Sequence, residues 1–212
     1  MLFDFDLESV IIKIEKLRGR DMTKIAVLSD IHGNTTALEA VLADAQKAEV
    51  DEYWLLGDIL MPGTGRKNIL QILDTLPITH RVLGNWEESL WRACHRQLDE
   101  TRPSHRYLLR QCQYIMEEVS VEEIEALQEY PLQTHRQYGN LTVGISHHLP
   151  DKNWGRELIH LGKQEDFDRL VVNPDCDIAV YGHIHQQFLR YASGGQLILN
   201  PGSIGQPFFL SD

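Results

Sequence analysis

In the first part of the chain, short apolar runs alternate with longer segments whose apolar residues recur at helical spacing. Residues 34–47 and 67–76 have apolar positions at helical spacing, and the second helix is expected to end before Pro77. Three runs around these helices are typical of strands that are buried on both faces, namely 25–28, 53–56 and 79–83. Strands that alternate with helices predict βαβ units and a mainly parallel sheet.

The pattern changes in the second half of the chain. Residues 86–130 are predicted to form helices, with breaks at Arg102-Pro103 and near Ser120. Segments 132–138 and 141–145 flank Gly139-Asn140, which is a hairpin signal. One more buried strand is expected at 177–181, and a second hairpin at 188–191 and 196–199, around Ser193-Gly194-Gly195. We therefore expect an α/β fold in which two sheets pack face to face with helices outside.

The two ends of the chain lie outside this pattern. Residues 1–21 begin with acids, and lysine interrupts their apolar run, so an amphipathic helix is predicted rather than a signal peptide. Met22 is an alternative start, because it leads directly into the first strand of the 22–212 domain. Aromatic residues near 208 indicate that apolar sequence should follow residue 212 and that the C-terminus is truncated.

Composition narrows the class of partner. The 212 residues carry a formal net charge of -11, which argues against binding to long DNA or RNA. No apolar run approaches the length of a membrane span. The three cysteines have no CxxC spacing and are interpreted as free thiols of a cytoplasmic protein.

Polar clusters follow five of the predicted strands. Because the carboxyl ends of parallel strands meet at one edge of a sheet, these clusters can converge. Asp, Asn and His without thiolate suit a pair of divalent cations such as manganese, iron or zinc, and Asp58 could bind both ions. The clusters are 29–34, 57–58, 84–87, 146–148 and 182–185.

Each cluster alone also has an ordinary structural explanation. Asp30 or Asn34 could cap the helix at 34–47, and the Gly-Asp and Gly-Asn pairs are common turn residues. The occurrence of all five clusters in order, each at a strand end, favours the metal site.

The order DxH, GD, GN, H, GHxH resembles that of the calcineurin-like metallophosphoesterase superfamily. SDIHGN at 29–34 and NPGS at 200–203 are similar to its YfcE-like bacterial branch, and the resemblance covers 24–206. The wider sequence around GNWEESLW and ISHHLPDKNWGREL is similar to bacterial phosphodiesterases that hydrolyse diadenosine tetraphosphate. This resemblance implies a four-layer α-β-β-α sandwich of two mixed sheets, with a helical cap at about 86–130.

The resemblance also implies a ligand set and a reaction. A hydroxide shared by two divalent metals, manganese above all, would attack phosphorus in a nucleotide phosphodiester or phosphoanhydride. His147 is preferred to His148 as a ligand because it follows the strand directly; His148 is then a candidate proton donor. The implied ligands are Asp30, His32, Asp58 and His185 for one metal, and Asp58, Asn85, His147 and His183 for the other.

One position departs from the family pattern. Many members carry histidine after the Gly-Asn pair, where it protonates the leaving oxygen, and here this residue is Trp86. Another group such as His148 could donate the proton, the leaving group could be acidic enough to need none, or catalysis could be lost. Trp86 could stack on a base or simply pack within the cap. A non-catalytic scaffold, as in the retromer subunit of similar fold, is the alternative function, and the intact ligands argue against it.

Basic residues supply the candidate substrate contacts. Segment 89–116 holds five arginines and two acids, and Arg102, Arg106 and Arg110 recur every four residues. They could hold substrate phosphates, or could be a solvated face or pair with the acids of 117–125. Asn34, Arg66, Lys67 and the loop at 152–156 are further candidates because they follow strand ends. The expected partner is a small phosphate compound, a nucleotide in particular.

Overall fold

The computed structural model describes residues 3–6, 11–15, 22–171 and 176–208, which contain two five-stranded sheets. The first sheet has the order β1-β2-β3-β4-β5, with antiparallel pairing from β1 to β3 and parallel pairing from β3 to β5. Its strands are β1 (Phe3–Asp6), β2 (Ile11–Glu15), β3 (Met22–Leu28), β4 (Glu52–Leu55) and β5 (Ile78–Arg81).

The second sheet is also mixed. Its strands are β6 (Gln133–Tyr138), β7 (Leu141–Ser146), β8 (Ile178–Tyr181), β9 (Gln187–Tyr191) and β10 (Leu197–Pro201). Their order is β6-β7-β8-β10-β9, with parallel pairs in the middle and an antiparallel pair at each side. The two predicted hairpins are therefore the edges of one sheet whose centre is parallel.

The helices begin where the sequence supplies caps. The Asn34 side chain accepts a hydrogen bond from the Ala37 N–H, and Ser120 and Glu123 form a reciprocal capping box. The breaks predicted at Arg102-Pro103 and Ser120 separate three helices, as expected. The helices are α1 (Thr35–Lys47), α2 (Lys67–Asp74), α3 (Asn85–Cys94), α4 (Pro103–Ile115), α5 (Val121–Gln128) and α6 (Gln164–Asp168).

Alternation along β3 shows how the layers pack. Ile25 and Val27 lie in the core between the two sheets, whereas Ala26 and Leu28 lie in the core beneath α1–α5. A third core, which includes Phe167 of α6, covers the other face of the second sheet. The predicted four-layer α-β-β-α sandwich of two mixed sheets is confirmed.

The predicted helix at 1–21 is wrong for its described residues, because 3–6 and 11–15 are strands. β2 pairs antiparallel with β3, with Ile12 opposite Ile25. β-branched isoleucines favour extended backbone, and pairing along β3 satisfies an edge that would otherwise be open. The other residues of 1–21 lie outside the described part of the chain.

Within the described ranges, no helix is both long enough and apolar enough to span a bilayer. Cys94, Cys112 and Cys176 are free thiols.

Candidate metal centre

Loops from both sheets meet at the carboxyl ends of the parallel strands. The Asp30 N–H donates to the Gly57 carbonyl (3.2 Å), and the His32 N–H donates to the Asp58 carbonyl (2.9 Å). In the second sheet, the Gly182 N–H donates to the His147 carbonyl (3.1 Å). Backbone hydrogen bonds therefore tie cluster 29–34 to cluster 57–58, and cluster 146–148 to cluster 182–185.

Close approach of these loops depends on glycine at position 57. Gly57 has φ +87°, and a Cβ atom there would stand 2.5 Å from the Gly84 nitrogen. A larger residue would separate the Gly-Asp loop from the Gly-Asn loop.

Left-handed backbone is concentrated at the candidate ligands. Seven non-glycine residues in the described chain have positive φ, and five of them belong to the predicted ligand set. Such conformations are unfavourable for most side chains and persist where the surroundings impose them, often at functional sites. The five are Asp30 (52°), His32 (48°), Asp58 (55°), His183 (70°) and His185 (60°).

Asp30, His32 and His185 form the first of two groups that could hold a metal ion. The Asp30 Oδ1 atom is 3.2 Å from His185 Nε2 and 3.7 Å from His32 Nε2. This oxygen is buried and has no hydrogen-bond partner among the described residues. The other oxygen, Oδ2, accepts from the Ser29 hydroxyl and the His183 N–H, which fixes the carboxylate.

Asp58, His147 and His183 form the second group, and Asn85 lies among them. His147 Nε2 is 3.3 Å from Asp58 Oδ2 and 3.1 Å from Asn85 Oδ1. Asp58 Oδ2 is also 3.8 Å from His32 Nε2, so this carboxylate stands between the two groups. The structure thus brings together all seven predicted ligands, in the two sets expected.

Backbone carbonyls set the tautomer of the four imidazoles. A carbonyl only accepts, so the ring nitrogen facing it carries the proton, and in the neutral ring that a metal would bind the opposite nitrogen keeps its lone pair. In each ring the nitrogen with the lone pair points into the centre. The pairs are His32 Nδ1 with Met61 O, His147 Nδ1 with Leu56 O, His185 Nδ1 with Gln206 O and His183 Nε2 with Gly155 O.

Acceptors consequently face acceptors across the centre. The Nε2 atoms of His32 and His185 are 2.9 Å apart, and His183 Nδ1 is 2.8 Å from Asn85 Oδ1. Two lone pairs at this distance repel each other unless a cation lies between or beside them. With the unpartnered oxygen of Asp30, this donor set fits two divalent cations that prefer mixed oxygen and nitrogen ligands.

The pKa values of His147 and Asp30 also indicate that the centre stabilises positive charge. Burial lowers the pKa of His147, but the charge and hydrogen bond of Asp58 outweigh burial and raise it to about 10. Burial raises the pKa of Asp30, but the neighbouring imidazoles, His185 first, lower it to about 2. The centre therefore favours a cation next to ionised carboxylates.

Sequence reasoning gave no role to Glu87, which the structure shows to be a support for the centre. Its carboxylate is 2% exposed and accepts from the N–H groups of Asp58 (2.8 Å), Ile59 (2.7 Å) and Gly84 (3.1 Å). Burial and then the charge of Asp58 raise the pKa of Glu87 to about 7. The sequence feature that could have indicated this role is an acidic residue two positions after the Gly-Asn pair.

His148 lies behind the centre rather than in it. It is fully buried, its Nε2 is 3.2 Å from Glu157 Oε2, and its ring lies 4.7 Å from that of His183. The position beside Asp58 is taken by His147, as expected. The structure does not place His148 where a substrate could reach it.

Trp86 lies at the border of the metal centre and also packs against the hydrophobic core beneath the helices. Its backbone N–H donates to Asp58 Oδ1 (2.8 Å), and the centroids of its indole and of the His32 ring are 6.1 Å apart, with the rings nearly perpendicular. The half-buried side chain contacts the core beneath the helices. Packing therefore holds this tryptophan at the place where many family members carry histidine.

Asn34 is not free to contact substrate through its amide. Its Oδ1 caps α1, and its Nδ2 donates to the Gly205 carbonyl (3.3 Å). The capping interpretation of this residue is the one that the contacts favour.

The cap arginines do not reach the centre. Cys112 of α4 contacts Leu90 of α3, and Arg106 lines the same cleft as Ala93, as expected for two helices that run antiparallel. Ala93 is about 12 Å along α3 from Asn85 at 1.5 Å per residue. Arg106 and Arg110 line a cleft of about 550 Å3 at that far end, and Arg102 is the residue that precedes α4.

The remaining basic candidates are held within the cap. Arg66 pairs with Glu117 (2.6 Å) and Glu118, and Lys67 pairs with Glu123 (2.6 Å). Pairing with the acidic run was one interpretation offered for the cap arginines. The structure shows this pairing for Arg66 and Lys67, which precede the cap.

The fold and the two ligand groups define a binuclear metallophosphoesterase fold, and comparison with known proteins places the chain in a family. Residues 23–212 match the calcineurin-like phosphoesterase superfamily domain, and the chain belongs to that superfamily.

Individual proteins are similar to this chain in sequence or in fold. The chain is 26% identical over 197 residues to the uncharacterized protein MJ0912 of Methanocaldococcus jannaschii, covering 86% of this chain and 76% of that protein. Its fold is similar to that of the hypothetical protein PH1004 from Pyrococcus horikoshii, with a TM-score of 0.72, 18% identity and coverage of 85% and 77%. A metallophosphoesterase from Sphaerobacter thermophilus is similar with a TM-score of 0.59, 23% identity and coverage of 86% and 77%.

Proposed function

We propose that this protein is a metal-dependent phosphodiesterase that hydrolyses a nucleotide phosphodiester or phosphoanhydride. The observation that carries the proposal is the pair of acceptor groups that face each other and share Asp58. Cations would satisfy buried acceptors arranged in this way, and binuclear metal centres suit phosphate chemistry.

In this proposal each residue has a defined task. Bound there, two divalent cations would polarise a phosphoryl oxygen and lower the pKa of water. Asp58 holds both sites together, and the backbone carbonyls keep the imidazoles correctly oriented. Asp30, His32, Asp58 and His185 would hold one cation, and Asp58, Asn85, His147 and His183 would hold the other. Manganese suits this ligand set, as do iron and zinc.

Trp86 limits the choice of substrate. Indole cannot donate a proton as an acid to a leaving oxygen, and buried His148 is not placed to do so. A leaving group that is already acidic avoids this need, and a nucleoside phosphate leaving from an anhydride is such a group. Diadenosine tetraphosphate is therefore the first substrate that we propose.

The first experiment is hydrolysis of bis-p-nitrophenyl phosphate by the manganese-loaded protein, beside Asp58→Ala. We expect metal-dependent turnover that the substitution abolishes. Diadenosine tetraphosphate and an alkyl phosphate monoester are then compared, and the anhydride is expected to be the better substrate. Folded protein that contains two metals per chain but hydrolyses neither diester nor anhydride would overturn the proposal.

The second candidate function is a non-catalytic binding scaffold of the same fold, which Trp86 favours because it replaces the usual histidine. Metal binding without turnover on any of these substrates would support it. For either function we propose a cytoplasmic protein with small phosphate partners, because its thiols are free and its net charge of -11 opposes long nucleic acids.

A further inference from the structure

One tryptophan stands in solvent next to the centre. Trp154 has 63% of its surface exposed, while Trp54 is buried and the other two tryptophans are half-buried. Indole is a large apolar surface that folding normally covers at least in part, so such exposure calls for a reason.

The loop that carries Trp154 is fixed on both sides of it. The Asn153 side chain, 2% exposed, donates to the Gly84 carbonyl (3.0 Å). On the other side, the Gly155 carbonyl accepts from His183 Nε2 (2.9 Å). Gly84 precedes the candidate ligand Asn85, and His183 is itself a candidate ligand. The backbone of Trp154 therefore lies at the rim of the metal centre.

The same loop is closed on itself. Lys152 forms an ion pair with Glu157, whose Oε2 is also 3.2 Å from the buried His148. The Lys152 ammonium lies 5.9 Å from the centre of the Trp154 ring, within the range of a cation–π contact. A loop held in this way presents the indole with little conformational freedom to lose on binding.

Positive charge accompanies the indole. Lys152 precedes it by two residues, and Arg156, which is exposed, follows it by two. An exposed indole at the rim of the candidate metal centre, with a cationic side chain two residues away on either side and one of these paired with Glu157, matches a ligand that joins an aromatic ring to a phosphate.

We propose that Trp154 stacks on an aromatic base of the substrate, so that the centre takes nucleotides in preference to sugar phosphates or alkyl phosphates. This inference rests on the proposed function, since it assumes that a phosphate group occupies the centre. Trp154 is a specificity-determining residue in this view and takes no part in bond breaking.

The test measures binding to the full-length, manganese-loaded protein by isothermal titration calorimetry, with AMP and ribose 5-phosphate as probes. Both carry a phosphate on ribose, and AMP alone carries a base. We expect Trp154→Ala to weaken AMP binding by roughly tenfold, which is the scale of one base–aromatic stack. Ribose 5-phosphate binding should change by less than about twofold, and Trp154→Phe should retain most of the AMP affinity.

Tyr191 offers a matched control. It is 62% exposed and lies opposite Leu197, at the start of β10 and so at the other edge of the sheet. Tyr191→Ala should bind both probes as the unmodified protein does. Trp154→Ala should also keep its melting temperature and its two metals per chain, because its side chain is exposed.

Three results would overturn the inference: unchanged AMP binding in Trp154→Ala, equal weakening of both probes, or no AMP binding by the unmodified protein. The hydrolysis assay tests the proposed function separately from the binding measurements. If AMP binding depends on Trp154 but no substrate is hydrolysed, the stacking site stands and the enzyme proposal falls. If bis-p-nitrophenyl phosphate is hydrolysed but Trp154 has no effect, only the stacking site falls.

Discussion

Polar side chains are paired differently in the metal centre and around the helical cap. In the cap, unlike charges meet: Arg66 pairs with Glu117 and Glu118, and Lys67 pairs with Glu123. In the centre, like groups meet, and lone pairs of His32 and His185 face each other at 2.9 Å. Groups that are paired within the protein have no need of a ligand, whereas buried groups that repel each other do.

Backbone strain follows the same division. Five of the seven non-glycine residues with positive φ in the described chain are candidate ligands in the centre, whereas the cap contributes Arg96 alone. Strain and unpaired acceptors are unfavourable for folding on their own, so their coincidence indicates a site maintained for binding.

Asp58→Ala is the change that should break the centre most completely. Removing the carboxylate shared by both groups should lower hydrolysis by on the order of a thousandfold or more, because several kcal/mol of charge stabilisation is lost. Metal analysis should find fewer than two metals per chain. Asp44→Ala removes a carboxylate that is exposed on α1, where it pairs with Lys47, and should leave both quantities unchanged. Equal activity in the two variants would contradict the assignment.

Metal removal should show how far the centre depends on cations for stability. Manganese at about one hundred times its dissociation constant should stabilise the folded chain by about 2.7 kcal/mol over chelated protein. For a chain of this size this corresponds to a rise of roughly 5–10 °C in melting temperature, measured calorimetrically. The rise should shrink in Asp58→Ala and persist in Asp44→Ala. Equal melting temperatures with chelator and with manganese would contradict this account of the acceptors.

Glu87→Gln tests the support beneath the centre. The carboxylate accepts three backbone N–H groups, and an amide would turn a donor toward at least one of them. We expect a loss of about 1–3 kcal/mol in the free energy of unfolding, measured with denaturant, because a buried donor is left unsatisfied. Manganese affinity should fall as well, since all three of these N–H groups belong to the loops that carry Asp58 and Asn85.

Glu88→Gln is the matched control for that experiment. Glu88 is the next residue of α3 and is half-buried. It should retain both stability and manganese affinity. A Glu87→Gln protein that loses stability but binds manganese normally would reduce Glu87 to a structural residue.

The convergence of the candidate ligands could be predicted from the sequence because each lies in a polar cluster that follows an easily recognised apolar run. Strand direction then places all these residues at one edge. The β1–β2 pair was missed because helical and extended patterns are hard to distinguish in a short run such as Ile11-Ile12-Lys13-Ile14. Pairing with the edge of β3 favours the extended form, and this pairing is a tertiary contact that the local sequence pattern does not contain.

The cap arginines show another limit of sequence reasoning. Their four-residue spacing correctly predicted a helix, but spacing does not give the direction in which that helix runs relative to α3. Antiparallel packing moves Arg106 toward Ala93, at the end of α3 remote from Asn85. Contacts of Glu87 were equally invisible, since they join segments 28 and 29 residues apart.

Arg106→Ala is expected to have the smallest effect and gives the most direct test of this placement. Arg106 Nη1 donates to the carbonyls of Glu100 and Thr101 (3.1 Å each), so its loss should destabilise the loop before α4 by about 1 kcal/mol or less. The KM for diadenosine tetraphosphate and that for bis-p-nitrophenyl phosphate should both change by less than about twofold, because Arg106 lines a cleft with Ala93, which is roughly 12 Å along α3 from Asn85. Steady-state kinetics of the two substrates measure this. A rise in KM for the tetraphosphate alone would mean that the far cleft of the cap binds part of a long substrate, and the division between a paired cap and an unpaired centre would then fail at Arg106.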